Sequence, residues 1–144
     1  MIALDTNLLV YAHREESPFH LRARDSLIRI TEGVDLWAIP WPCIHEFLAV
    51  VTHPRIFKRP TKMIHAWEFL DAILESPSLR LLSETPSSRH TLHKLLEKSG
   101  VVGPKVHDAR IATICLDHAV AVLWTADRDF SRFPRLRTTN PLVT

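Results

Sequence analysis

Cysteine is scarce in this chain of 144 residues, which contains only Cys43 and Cys115. The two lie far apart within apolar helical patterns and lack the close spacing of a zinc site. We therefore expect two buried thiols, as is common for free cysteine. A reducing, cytoplasmic setting fits this usage.

Long apolar runs are also missing. No run reaches the roughly 18 residues that a membrane-spanning helix needs, and no signal-peptide layout precedes a small-residue cleavage site. We expect a soluble protein without a membrane partner.

An excess of charge of one sign is likewise lacking. Lys and Arg number 18 against 16 Asp and Glu, and this net charge of +2 does not by itself indicate a nucleic-acid partner. The distribution is less even, because RDFSRFPRLR places Arg128, Arg132, Arg135 and Arg137 beside a single acid. Such a run is either a solvated face or a phosphate-binding one.

Short apolar strands alternate with helical patterns along the chain. Strands are predicted at 2–4, 36–39, 79–82 and 119–124. Helices are predicted from Ser17-Pro18 to near Gly33, over 41–54, from a Thr61 cap to 74, over 87–100 and over 107–118. The fold class is therefore α/β, with one domain over 1–144 built as a three-layer α/β/α sandwich around a mostly parallel central sheet.

Acidic residues follow two of the predicted strands. Asp5 comes directly after IAL and Asp127 comes shortly after AVAVLW. Ligands of open parallel sheets bind beyond the carboxyl ends of the strands, so both carboxylates occupy a site position. Asp5 also lies in an apolar context, where a carboxylate needs partners or a metal.

Three further acids are candidates for the same site. Glu46 interrupts an apolar helical pattern, Asp108 opens the DARIATICL helix, and Asp129 follows Asp127 by two residues. Each has a simpler interpretation. Glu46 could lie at an exposed helix edge, Asp108 could serve only the helix dipole, and Asp129 could be solvated in a turn.

Converging carboxylates repel one another unless a cation offsets their charge. Oxygen ligands without clustered His or Cys suit Mg²⁺ or Mn²⁺ rather than zinc. Such a site can activate water for phosphodiester hydrolysis. The constellation thus predicts a metal-dependent hydrolase.

Four segments carry a family resemblance: LDTNLLVYA, WPCIHEFLAVVTHPRIF, HDARIATICLDH and LWTADRDFSRFPRL. In this order and spacing the chain resembles PIN domains, specifically the VapC-type ribonuclease toxins of toxin–antitoxin systems. The match spans almost the whole chain, including the closing NPL. Gly103-Pro104-Lys105 and Ala119 depart from the commonest pattern, at positions that shape the local loops and bear on RNA preference.

The resemblance implies a Mg²⁺-dependent endoribonuclease that leaves a 3′-hydroxyl and a 5′-phosphate. It assigns catalysis and metal binding to Asp5, Glu46, Asp108 and Asp127, and further metal binding to Asp129. Thr6, Asn7 and Thr125 fall where small polar residues orient these acids. It also implies a homodimer and a small antitoxin that inserts a basic side chain or helix near the acidic cleft. Exposed apolar surface on helices around 17–31 and 44–75 would mark such interfaces.

Basic and aromatic residues are candidates for RNA binding. Arg110, Arg128 and Arg132, with Arg135 and Arg137, are placed to hold phosphates. Trp41 could stack on unpaired bases, whereas we expect Trp37 and Trp67 in the core.

Two alternatives come from other classes of protein. The first is a catalytically inactive PIN-like module that binds RNA or an antitoxin, which the presence of all four acids disfavours. The second is a phosphoacceptor domain with Asp5 as nucleophile. That domain needs a paired acid or a DxDxT-like stretch, and DTN supplies neither.

Overall fold

The computed structural model describes residues 1–143, and within them one parallel sheet of five strands forms the centre of the molecule. The strands run in the order β3-β2-β1-β4-β5, and all four pairings are parallel. Their bounds are β1 Ile2–Leu4, β2 Trp37–Pro40, β3 Leu79–Leu82, β4 Val122–Trp124 and β5 Thr138–Thr139. The predicted α/β sandwich is confirmed, with a sheet that is parallel throughout the described residues.

Six helices and two short 3₁₀ turns connect the strands within residues 1–143. The helices are α1 Thr6–His13, α2 His20–Glu32, α3 Trp41–Val51, α4 Met63–Leu74, α5 Ser88–Ser99 and α6 Val106–Asp117. The 3₁₀ turns are Gly103–Lys105 and Arg128–Arg132. None of these helices is long and apolar enough to cross a membrane.

Two predicted helix starts are wrong for the same physical reason. The Ser17 hydroxyl accepts a bond from the Phe19 amide at 3.1 Å, so a local turn occupies Ser17-Pro18 and α2 begins at His20. The Thr61 hydroxyl bonds the His13 ring at 2.9 Å instead of capping α4, whose N-cap is Lys62. In both cases the side-chain oxygen has another partner.

One strand prediction also needs correction, and one strand was not predicted. β4 begins at Val122 rather than 119, because Ala119 adopts a positive φ of 54° and turns the chain. β5 consists of two exposed threonines beside β4, too short to show the alternation that marks a strand.

The core lies between the sheet and its helices. Trp37, Phe47 and Phe130 are fully buried, as are Cys43 and Cys115, which confirms the predicted burial of both thiols. Burial raises the pKa of Cys115 to about 12 and that of Cys43 well above its usual value. Both thiols therefore stay protonated at neutral pH.

The connectivity of the sheet fixes where a site can form. From central β1 the chain moves outward through β2 and β3, then returns to the other side of β1 as β4. The order thus reverses between β1 and β4, and loops diverge at the carboxyl ends of these two strands. Asp5 follows β1 and Thr125 follows β4 at this crevice.

Candidate active site

The crevice contains a cavity of about 410 Å³ lined by acids from four separate segments. Asp5 comes from the end of β1, Glu46 from the middle of α3, Asp108 from the first turn of α6 and Asp127 from the loop after β4. The structure therefore brings together all four acids that the sequence singled out as catalytic.

Asp5 is the most buried of these acids, with 4% of its surface exposed. It is the N-cap of α1, and its carboxylate accepts bonds from the Thr6 amide at 2.8 Å and the Thr125 hydroxyl at 2.7 Å. Burial raises its pKa to about 6, and the charges of Glu46 and Asp108 add to the rise, whereas the two hydrogen bonds oppose it. Its charge is thus only partly compensated by the protein.

Glu46 faces Asp5 from α3. The Thr6 hydroxyl donates to the Glu46 carboxylate at 2.5 Å, while the Thr6 amide donates to Asp5. One residue therefore orients two acids. Glu46 is half-buried in the cavity wall, so the alternative of an exposed helix edge is wrong.

Asn7 and Thr125 tie the two strand ends together. The Asn7 amide group donates to Asp5 and to the Thr125 hydroxyl, both at 3.3 Å, and its oxygen accepts from the Ala126 amide at 3.1 Å. The Thr125 hydroxyl also accepts from the Asp127 amide at 3.0 Å. All three small polar residues that the resemblance named thus contact the acids or their loop.

Asp108, Asp127 and Asp129 form the part of the site best suited to a metal ion. One carboxylate oxygen from each lies within 4.8 Å of the others. The Asp129 amide donates to Asp127 at 2.8 Å, which folds the loop so that both side chains face Asp108. Partial burial and the neighbouring Asp127 charge raise the pKa of Asp108. Three clustered carboxylates, with Asp5 and Glu46 nearby, fit the oxygen-donor set of Mg²⁺ or Mn²⁺.

Lys105 also belongs to this cluster, and the sequence analysis did not identify its role. Its ammonium pairs with Asp129 and lies 3.8 Å from Asp108. The lysine lowers the pKa of Asp129. The spacing of Lys105 and Asp108, three residues apart at a helix start, is the signal that could have revealed it. The Lys105 ammonium beside these carboxylates supports the view that the cluster attracts cations.

The candidate RNA-binding arginines lie on two elements near the acids. Arg128 and Arg132 are exposed on the 3₁₀ turn that carries Asp129, and Arg135 and Arg137 are exposed just beyond it. Arg110 is exposed on α6, where it pairs with Glu84, a partner that the sequence did not reveal. This pairing lowers the pKa of Glu84.

The tryptophans divide differently from the prediction. Trp37 is fully buried as expected, but Trp67 is 40% exposed on α4, so its assignment to the core is wrong. Trp41 is 37% exposed at the start of α3, near Glu46.

A comparison with protein families matches the PIN domain over residues 2–136. This chain belongs to the PIN domain family. The curated relative VapC ribonuclease Mb2897 of Mycobacterium bovis is 35% identical over 99% of this chain and 96% of its own length. The PIN domain described here is thus of the VapC type.

Solved structures support the fold of this PIN domain. VapBC2 of Rickettsia felis, crystallised with a DNA fragment from its promoter, superimposes with a TM-score of 0.70 at 24% identity over 97% of this chain and 98% of that chain. VapC20 of Mycobacterium tuberculosis, described as a toxin that cleaves the sarcin-ricin loop, gives 0.67 at 14% identity over 91% and 93%. At these identities the likeness shows the shared fold.

Proposed function

We propose that this PIN domain is a metal-dependent endoribonuclease that acts as the toxin of a toxin–antitoxin pair. The observation that carries the proposal is the convergence of Asp5, Glu46, Asp108 and Asp127 on one cavity. The relative of this chain in Mycobacterium bovis is named a ribonuclease, and the two chains align over nearly their full lengths.

The acids have distinct tasks in this proposal. Asp108, Asp127 and Asp129 would hold Mg²⁺ or Mn²⁺. Asp5 and Glu46, which line the same cavity, would add negative charge that attracts the cation. When bound, such a cation supplies Lewis-acid polarisation of the phosphate and activation of water. Thr6, Asn7 and Thr125 keep the acids oriented through the hydrogen bonds described above. The expected products carry a 3′-hydroxyl and a 5′-phosphate.

The substrate is RNA in this proposal, and positive groups beside the acids are needed to hold its phosphates. Arg128 and Arg132 extend from the loop that carries Asp127 and Asp129, so a phosphate at the metal cluster would lie near both elements. Arg110 projects from the helix that begins beside Asp108. Each contact would give modest affinity that falls with salt.

The partners in this proposal are a second copy of the chain and a small antitoxin. A basic segment of the antitoxin would be attracted to the acidic cavity, in the position where Lys105 already pairs with Asp129. The solved VapBC2 structure, which has the same fold, supports an antitoxin partner by analogy.

The deciding experiment is cleavage of total RNA by purified, antitoxin-free protein with Mg²⁺, with EDTA, and with the variant Asp5→Asn. We expect discrete fragments in Mg²⁺ alone, and a loss of at least about 10²-fold in the variant because an electrostatic group of the site is removed. The matched control is Asp25→Asn, which changes an exposed acid on α2 outside the cavity and should cleave like the natural chain.

Circular dichroism establishes that each variant is folded. Full cleavage by folded Asp5→Asn, or cleavage that survives EDTA, contradicts the proposal. Binding of metal and RNA without cleavage under every condition favours the inactive binding module instead.

A further inference from the structure

A second cavity, of about 490 Å³, adjoins the acidic one. Trp41, His45 and Glu46 line it from α3, and His107 and Arg110 line it from α6. Its volume lies in the range of sites for small molecules. Neither the catalytic acids nor the metal cluster explains why aromatic and basic side chains gather there.

Glu46 joins the two cavities, because its side chain lines both. A polymer whose phosphate lies at the acids can therefore place its neighbouring nucleotide in the second cavity without crossing another element. The helix start at Val106 reinforces this arrangement, since Asp108 lines the first cavity and His107 lines the second.

Trp41 is the residue that most requires an explanation. It is the first residue of α3, and 37% of its surface is exposed although indole has much to gain from burial. His45, one turn later, meets the indole at 5.2 Å between ring centres and 84° between planes. This contact fixes the indole without stacking on it in parallel, which leaves aromatic surface toward the cavity.

The groups that line the second cavity together with Trp41 favour a nucleobase over an apolar ligand. Arg110, which pairs with Glu84, places a cation in the wall of this cavity. The imidazoles of His45 and His107 can donate or accept hydrogen bonds. Aromatic side chains beside arginine and histidine are the combination that stacks on unpaired bases and reads their edges.

We propose that this second cavity is a base-binding subsite, in which Trp41 stacks on an unpaired nucleobase of the RNA next to the cleaved phosphodiester. The inference rests on the proposed function for the identity of the polymer. It adds a specificity-determining residue, since the cavity admits a base only where the substrate is unpaired.

The test measures binding of short single-stranded RNA oligonucleotides by fluorescence anisotropy, in the Asp5→Asn background so that no cleavage occurs. Trp41→Ala should weaken binding about tenfold or more, and Trp41→Phe by less, because the smaller ring still stacks. The matched control Leu81→Ala removes an apolar side chain of similar exposure on β3, outside both cavities and outside the ranges 17–31 and 44–75, and should bind unchanged.

An abasic oligonucleotide of the same length separates stacking from phosphate contacts. It should bind the Trp41→Ala protein and its parent equally, since the group that Trp41 would hold is absent. Quenching of tryptophan fluorescence by intact RNA, retained in Trp67→Phe and reduced in Trp41→Phe, gives a second readout.

Equal binding of intact RNA by folded Trp41→Ala and its parent would overturn the subsite. So would the same loss of affinity on the abasic ligand. Failure of the proposed function shows itself separately, as an absence of cleavage by the natural chain while the stacking signals persist.

Discussion

Asp5 combines two unfavourable electrostatic effects, burial of its carboxylate and repulsion from neighbouring acids. Its carboxylate is buried beside Glu46 and Asp108, and the bonds from Thr6 and Thr125 compensate it only in part, which leaves its pKa at about 6. An enzyme that binds cations gains from such an arrangement, because an unsatisfied negative charge favours metal binding at the expense of stability without metal.

The pKa of Asp5 predicts how the stability of the metal-free protein depends on pH. The pKa of about 6 in the folded state exceeds the ordinary aspartate pKa of 3.8, so the folded state binds this proton more tightly than the unfolded state. The contribution is fully present below about pH 4 and is lost as pH rises through 6, a decrease of about 3 kcal/mol in the free energy of unfolding. Urea unfolding in EDTA across this range measures it.

Asp5→Asn provides the comparison, because asparagine does not titrate. The difference in unfolding free energy between the natural chain and the variant should shift in favour of the variant as pH rises. Histidines and other groups that do not interact with Asp5 cancel in that difference. A constant difference across the range would show that the Asp5 carboxyl is not perturbed in this way.

The residues of the site differ in how far sequence could predict them. Asp5 was identifiable because an acid that interrupts an apolar strand end has few structural explanations. Glu84 was not, because its role depends on pairing with Arg110 across the folded chain. For Lys105 the spacing to Asp108 is local, but the pairing with Asp129 is not. Abundant charged residues carry no local pattern that reveals such partners.

At the scale of elements, α5 and α6 are joined by one carboxylate. Asp117, at the end of α6, accepts bonds from the Ser88 hydroxyl at 2.7 Å, the Thr91 hydroxyl at 2.6 Å and the Thr85 hydroxyl at 3.3 Å. The start of α5 is thereby attached to the end of α6. Asp108 is at the opposite end of α6, about 14 Å away at the helical rise.

Asp117→Ala should therefore destabilise the fold without changing the site. We expect a loss of about 2 kcal/mol in the free energy of unfolding, since hydroxyl bonds to a charged acceptor are removed. Chemical denaturation measures the loss, and RNA cleavage per folded molecule should stay unchanged. Asp25→Ala, which truncates an exposed acid of α2, is the control and should lose little. Equal stability of the two variants would contradict this account of α5.

The end of a helix was predictable where a residue type determines the backbone conformation. The start of a helix was missed where a side-chain hydroxyl has two alternative hydrogen-bond partners. Gly100 ends α5 in the left-handed region at φ 68°, as a glycine after a helical pattern predicts. Ser17 and Thr61 have the chemistry of caps but bond elsewhere, which no local pattern distinguishes. β5 is formed by its position beside β4 rather than by its own sequence.

For the molecule as a whole, exposed apolar side chains on α2 and α4 remain to be explained. Leu21 is 68% exposed and Ile64 is 66% exposed, and Ile28, Met63 and Trp67 add to the apolar area. These residues lie within the two ranges where the sequence analysis placed interfaces. Exposed apolar surface that packs against no other part of the chain is stabilised by burial against a partner, and so favours association.

We therefore expect the purified chain to form a dimer, with twice the mass of 16.5 kDa. Light scattering coupled to size exclusion measures this mass. Ile64→Lys should shift the equilibrium toward monomer by at least about tenfold, because a charge would be buried at the interface. Val34→Lys, which adds the same charge at a residue 95% exposed in the loop after α2, should leave the mass unchanged. A natural chain that is monomeric at every concentration would refute the dimer and assign the apolar faces of α2 and α4 to the antitoxin instead.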